Sequence, residues 1–171
     1  ILNLKKKQKI MIVEKDINTS ILAYKEFEHI DYEDCFKIAA INFAGVDEFA
    51  KEYFLSQPLW LNIVSQGMFS KKNIEKKIET SRFQKNTYIG TWKVFNRNEN
   101  EIVFGDDMGF MEYRFSMVFK AKTNRIEVST LVQYKSIMGK YYFLLIKFMH
   151  KKFIIISLEN VVKICEKEKE V

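Results

Sequence analysis

Residues 111–120 alternate with a period of two. Met111, Tyr113, Phe115, Met117 and Phe119 are apolar, and Glu112, Arg114, Ser116 and Lys120 stand between them. That period belongs to a strand with one buried and one wet face, as in an antiparallel sheet. Thr123-Asn124 turns the chain, and Ile126, Val128, Thr130, Val132 and Tyr134 continue the apolar face against Glu127, Ser129 and Gln133. A hairpin centred on Thr123 sets Ser116 opposite Ser129 and Glu112 opposite Gln133, a polar ladder behind the apolar face. A face this long must be covered by another layer.

The neighbouring segments suggest what covers it. Tyr88 to Phe95, with Trp92 and Val94, reads as a strand, and 96–100 (NRNEN) as a turn. Glu101 to Phe104 is a short strand, closed by the turn Gly105-Asp106-Asp107-Met108-Gly109. Ser136 is placed to cap a final helix running to about Val162. Tyr141, Leu144, Leu145, Phe148, Met149, Ile155, Ile156 and Val162 form its expected apolar stripe. Lys152 falls inside that stripe and would have to snorkel, while Phe143 and Ile154 point the other way.

The first half is less periodic. Lys9 to Val13 could begin a strand, and Ser20 to Glu28 fits a strand or a loop. Tyr32, Cys35, Phe36, Ile38 and Ala39 have helical spacing after Asp31, although an edge strand over Tyr24–Phe36 also fits. Asp47 is suited to cap a helix from Glu48 through Phe54. Pro58 suits the first turn of a second helix with Leu59, Trp60, Ile63, Val64 and Met68 on one face. Lys71 to Arg82 reads as a charged helix end or loop. Residues 1–10 are expected to be an uncertain extension before Met11, 11–165 one domain, and 166–171 a charged tail. The fold class is α+β.

Apolar residues make up 47% of the 171 and charged residues 29%, which is a globular rather than a disordered composition. Lysine clusters at 5–9, 71–77 and 147–152, within a net charge of +6, read as solvating more readily than as a phosphate or lipid site. No nucleic acid is expected as partner. Tyr141 to Leu158, the nearest approach to a membrane span, is interrupted by Lys147, His150, Lys151 and Lys152. Cys35 and Cys165 sit in no CxxC pattern and read as free thiols. With no apolar run after the basic N-terminus, the expected location is cytoplasmic.

Few residues suggest chemistry. His29 and His150 are the only histidines, too few for a multi-histidine metal centre, so neither metal nor cofactor is expected. Asp106 and Asp107 fit a solvated turn better than a metal or acid pair. GxSxG, GxGxxG and a P-loop are absent. Glu112 and Arg114 share a strand face, which could be an exposed outer surface or the polar floor of a cavity. His150 is a third polar candidate. Trp60, Trp92, Tyr113, Phe115, Tyr142 and Phe148 could line a pocket or fill a core.

Some runs resemble a known family. Gly105-Asp106-Asp107 before Met111-Glu112-Tyr113-Arg114-Phe115-Ser116, then Gly139-Lys140-Tyr141-Tyr142 and Ile146-Lys147-Phe148-Met149-His150-Lys151, resemble the bacterial domain of unknown function 2867. Tyr32-Glu33-Asp34-Cys35-Phe36 and Pro58-Leu59-Trp60 are similar to its opening pattern. The resemblance covers about Ile30 to Val162. It implies the START and pollen-allergen superfamily, SRPBCC, with a helix-grip fold: a curved antiparallel sheet around a long C-terminal helix, with two short helices early in the chain. It further implies an apolar or amphipathic small molecule in the sheet–helix cavity. Cyclase or hydrolase chemistry, or an interaction module with a filled cavity, are the alternatives. The family often carries a His in the turn before the third strand, where this chain has Gly109-Phe110, so the resemblance carries over no catalytic role there.

Overall fold

The computed structural model describes residues 12–39, 43–58 and 70–167, with side chains through Ile164. The described elements are β1 (Val13–Glu14), a 3-10 turn (Leu22–Glu26), β2 (Tyr32–Ala39), α1 (Val46–Leu55), α2 (Lys71–Ser81), β3 (Tyr88–Ile89), β4 (Trp92–Arg97), β5 (Glu101–Asp107), β6 (Met111–Lys120), β7 (Arg125–Tyr134) and α3 (Ile137–Lys167). The strands form one curved seven-stranded antiparallel sheet in the order β1-β2-β7-β6-β5-β4-β3. β3 to β7 follow one another as a meander, and β2 pairs along β7. The expected hairpin register holds, with Glu112 opposite Gln133 and Ser116 opposite Ser129.

Four local expectations give way to tertiary structure. The segment after Asp31 is the strand β2, not a helix, because Phe36 and Ile38 bury one side of it beside β7 while Cys35 is buried on the other. β5 runs through Gly105 to Asp107, because a Cβ at position 105 would collide with the Tyr113 carbonyl of β6 and glycine permits the close pairing. The turn is confined to 108–110, where Gly109 has φ +80°. α1 begins at Val46 after Gly45, so Asp47 lies in its first turn and pairs with Arg97 at 2.9 Å. Lys71–Ser81 is a full helix in its own right, not a helix end or a loop. The helix expected after Pro58, Trp60 included, lies outside the described residues, as do residues 1–10.

Both faces of the sheet are covered. On one, Val103, Val118 and Leu131 pack with Ile21 and Ala23 from the segment before β2. Glu101, itself buried, holds that segment down: its carboxylate accepts from the Leu22 and Ala23 amides at 2.8 and 3.3 Å and from the Ser116 hydroxyl at 2.7 Å. The carboxylate thus satisfies first-turn donors that would otherwise be buried unpaired. On the other face, Phe104, Phe115, Met117, Ile126 and Val128 form the main core with α1 and the C-terminal half of α3. Val46, Phe49, Ala50, Tyr53 and Phe54 recur at helical spacing, so α1 buries one side completely.

α3 starts where expected, with the Ser136 hydroxyl accepting the Gly139 amide at 3.3 Å. Over its first half, however, its buried side is the reverse of the expected stripe, while further on Ile155 and Val162 of that stripe are partly buried against the main core. Phe143 and Ile154 are each 2% exposed, whereas Leu145 is 80% and Phe148 68% exposed. α3 has apolar residues on all sides, so periodicity alone could not choose. The sheet takes the lysine-free side: Phe143, Ile146, His150, Ile154, Ser157 and Val161 follow one another at intervals of three and four. Lys152 therefore faces outward with no need to snorkel.

This rotation makes a direct prediction. Phe143 packs on Tyr32 and Tyr134, with ring centroids 4.7 and 6.0 Å away. Phe143→Ala should cost about 3–5 kcal/mol in urea unfolding, and Phe148→Ala no more than about 0.5 kcal/mol. Equal losses would place α3 in a different rotation.

Candidate functional site

The apolar packing of α3 against the rest of the molecule is concentrated at two separated places, with polar contacts from Lys147, His150 and Lys151 between them. Near its start, Phe143 sits among Met111, Val132, Tyr32 and Tyr134, and Tyr142 meets the Phe110 ring at 5.3 Å. Gly139 lets the first turn lie against the Phe110 carbonyl, which a Cβ would strike. Further on, Ile154, Leu158 and Val161 join the α1 core. There the Ser157 hydroxyl donates to the side-chain Oε1 of Gln57 at 3.2 Å, and the side-chain Nδ2 of Asn160 donates to the Ser56 backbone carbonyl at 3.0 Å. Phe143 and Ile154 are about 16 Å apart along the helix. Because α1 is wedged between the later part of α3 and the sheet, the helix is held off the strands between these anchors.

The gap beneath it is a cavity of about 400 Å³. Its floor is the sheet face carrying Met111, Tyr113, Phe115, Thr130 and Val132, and its roof is Phe143, Ile146, His150, Phe153 and Ile154 of α3. Tyr53 of α1 closes the inner end, its ring 5.4 Å from that of Phe115. Thr91, Trp92, Asp106, Met108 and Tyr142 form the more exposed rim. The walls are mostly apolar with a few convergent polar groups, the usual make-up of a small-molecule site.

The polar groups fall in two places. At the rim, the Tyr113 hydroxyl is kept protonated to unusually high pH, mainly by burial and then by the nearby Asp106 charge. In the wall, His150 Nε2 lies 3.2 Å from Thr130 Oγ1 and 3.5 Å from Asp34 Oδ2. Asp34, on β2 behind His150, is 5% exposed and also accepts from the Tyr32 hydroxyl at 2.6 Å. Burial pushes the Asp34 carboxyl up, but hydrogen bonding and charge from His150, with the Tyr32 and Thr130 hydroxyls, outweigh it and hold it below the usual carboxylate range. The result is a buried carboxylate that orients an imidazole on a cavity wall.

Of the residues singled out from sequence, Trp92, Tyr113, Phe115, Tyr142 and His150 meet around this cavity. Phe148 does not, because α3 turns it to the outside. Glu112 and Arg114 lie on the opposite face of β6, which is neither an exposed surface nor a cavity floor. Arg114 is buried under the early segment, its guanidinium 3.6 Å from the Phe95 ring centre and 3.2 Å from Glu112. Asp106 and Asp107 point to opposite faces: Asp106 to the cavity rim, and Asp107 to Lys135 at 2.6 Å. His29 lies away from the cavity, 3.2 Å from Asp31. Among the described residues no three His, Cys, Asp or Glu side chains converge as a metal site. Sequence reasoning missed Asp34 and Tyr53. The available signal for Asp34 was an acid at the strand position that shares a side with Phe36 and Ile38.

Residues 27–156 match a family model described as "Protein of unknown function (DUF2867)". The chain belongs to that family. Every residue lining the cavity, and Asp34 behind it, falls inside the matched span. No curated protein and no solved structure matches the chain significantly. Among the described residues of this DUF2867 protein, no helix is long and apolar enough to cross a membrane.

The Asp34 environment has a pH signature. With its carboxyl held below the unfolded value of about 3.9, the folded state binds this proton less readily than the unfolded chain. The stabilisation is complete above that value and is lost as pH falls through the lower folded one. Asp34→Asn should therefore destabilise the protein at pH 7 and flatten the loss of stability below about pH 4. Urea midpoints measured stepwise from pH 7 to 2 check this; an acid limb as steep in the variant as in wild type would refute it.

Proposed function

We propose that this protein binds a hydrophobic or amphipathic small molecule between the sheet and α3, in a helix-grip fold of the START kind. The cavity itself carries the reading: about 400 Å³, inside the range of roughly 300–1,000 Å³ common for ligand sites. Its apolar walls suit the body of such a ligand. His150 and Thr130 offer the polar end a hydrogen-bonding partner in the wall, and Asp106 and Tyr113 offer one at the rim. An apolar body burying a few hundred Å² gains on the order of several kcal/mol at about 25 cal/mol/Å², enough for roughly micromolar affinity after binding costs. The family resemblance supports the same reading. A buried free thiol at Cys35 fits a reducing, cytoplasmic setting.

A second reading, an enzyme of the cyclase or hydrolase type, is favoured by one observation. His150 borders the cavity with the buried Asp34 carboxylate behind it, the arrangement that orients a general acid or base. His150→Gln separates the two readings: it should leave the affinity for an apolar probe within about threefold but abolish any turnover of the bound compound.

The binding reading is tested by titrating an apolar fluorescent probe into the wild type, Ile146→Asp and Phe148→Asp. Ile146 lines the cavity, so an unpartnered charge there should weaken binding more than about tenfold. Phe148 faces outward, and Phe148→Asp should leave affinity unchanged. Equal probe binding by wild type and folded Ile146→Asp would show that the ligand lies elsewhere.

A further inference from the structure

The outward side of α3 is unusual for a helix on a sheet. Over its first four turns Ile137, Met138, Tyr141, Leu144, Leu145 and Phe148 are all exposed, between 55% and 80%. Contiguous exposed apolar surface on this scale marks an interaction site. The same helix is one-sided in charge. From Lys135 to Leu158 the chain carries Lys135, Lys140, Lys147, Lys151 and Lys152 and no Asp or Glu; the first acid is Glu159. Lys140, Lys147 and Lys151 lie along one edge of the apolar strip, and Lys152 stands within it, its ammonium 4.4 Å from the Phe148 ring centre. Lys147 caps the Tyr32 ring and Lys151 pairs with Glu14, so the edge is held in place by the fold.

We propose that this face of α3 docks on an anionic lipid surface, with the helix lying in the plane of the interface. An apolar strip edged by lysines is the pattern that inserts at the boundary between headgroups and acyl chains, and each lysine near an anionic surface adds to the attraction. Charge complementarity selects this occupant over a second copy of the chain. Two such faces brought together would set Lys140, Lys147 and Lys152 of one against those of the other, since Lys135 and Lys151 are already paired with Asp107 and Glu14 and no acid lies within the strip. The helix is too interrupted to span a bilayer but does not need to span one to dock. Tyr142 lies on the flank of this face and on the cavity rim, so docking would bring the mouth of the cavity to the lipid surface. The docking itself does not depend on the cavity being a ligand site.

The test uses the full chain and sedimentation with sucrose-loaded vesicles, either phosphatidylcholine alone or phosphatidylcholine with a third phosphatidylglycerol. Wild type should bind the anionic vesicles at least about tenfold more tightly than the neutral ones. Leu145→Ser with Phe148→Ser, both outward positions, should weaken that binding at least about tenfold. Lys140→Gln with Lys152→Gln should do the same without touching the apolar strip, and so decides the matter if the first variant is poorly folded. The proposal is overturned if wild type does not bind the anionic vesicles, or binds neutral vesicles as well as anionic ones. It is also overturned if folded variants bind like wild type, or if light scattering shows a dimer that the Leu145→Ser, Phe148→Ser variant loses and anionic vesicles leave intact. Probe binding in the cavity, measured on the same preparations, reports separately on the ligand reading.

Discussion

The ladder between the ten-residue strands β6 and β7 supports two cores at once. Odd positions of β6 (Met111, Tyr113, Phe115, Met117) face α1 and α3, with even positions of β7 (Val128, Thr130, Val132) beside them. The intervening residues, Arg114, Ser116, Ser129 and Leu131, face the segment before β2 and are buried as well. A slip of one residue would exchange the two faces and place Arg114 and Glu112 under α3. The register is thus held by two incompatible environments, one aromatic and one a network of charges and hydroxyls centred on Glu101 and Arg114.

The cavity follows from how α3 is supported. Aromatic packing around Phe49, Tyr53, Phe54, Phe104 and Phe115 makes α1 a rigid spacer on the sheet. The later half of α3 rests on that spacer, and the beginning rests on Tyr32, Phe110 and Tyr134. A helix carried at two ends cannot also collapse onto the strands in the middle, so space is left over Tyr113 and Thr130. Asp34 and His150 share that middle stretch, where the polar pair is accommodated because the cavity spares His150 from full burial.

Much of this was legible from local pattern. The β6–β7 register followed from a period of two and one turn. The cap at Ser136 follows from a hydroxyl before an apolar run, whereas local pattern leaves Trp92, Tyr113 and Tyr142 open between a pocket and a core. The misreadings have specific causes. β2 has apolar residues at Cys35, Phe36 and Ile38 because both sides of that strand are buried, and a doubly buried strand shows no alternation. The expectation that Phe148 faces the sheet fails because α3 offers two apolar sides; Lys152 in the middle of the expected stripe is the sign that the other side is the buried one.

The sequence by itself determined the antiparallel hairpin, its partition into an apolar and a polar face, and the long final helix, because each rests on contacts between residues close along the chain. Only the tertiary structure decided which side of α3 meets the sheet, that Arg114 and Glu101 are buried rather than solvated, and that Asp34 stands behind His150. Those outcomes depend on contacts between residues far apart along the chain, for example from Leu22 to Glu101, from Phe54 to Phe104 and from Asp34 to His150. A periodicity records that a face is buried. It does not record against what, since any apolar surface of the right shape satisfies it.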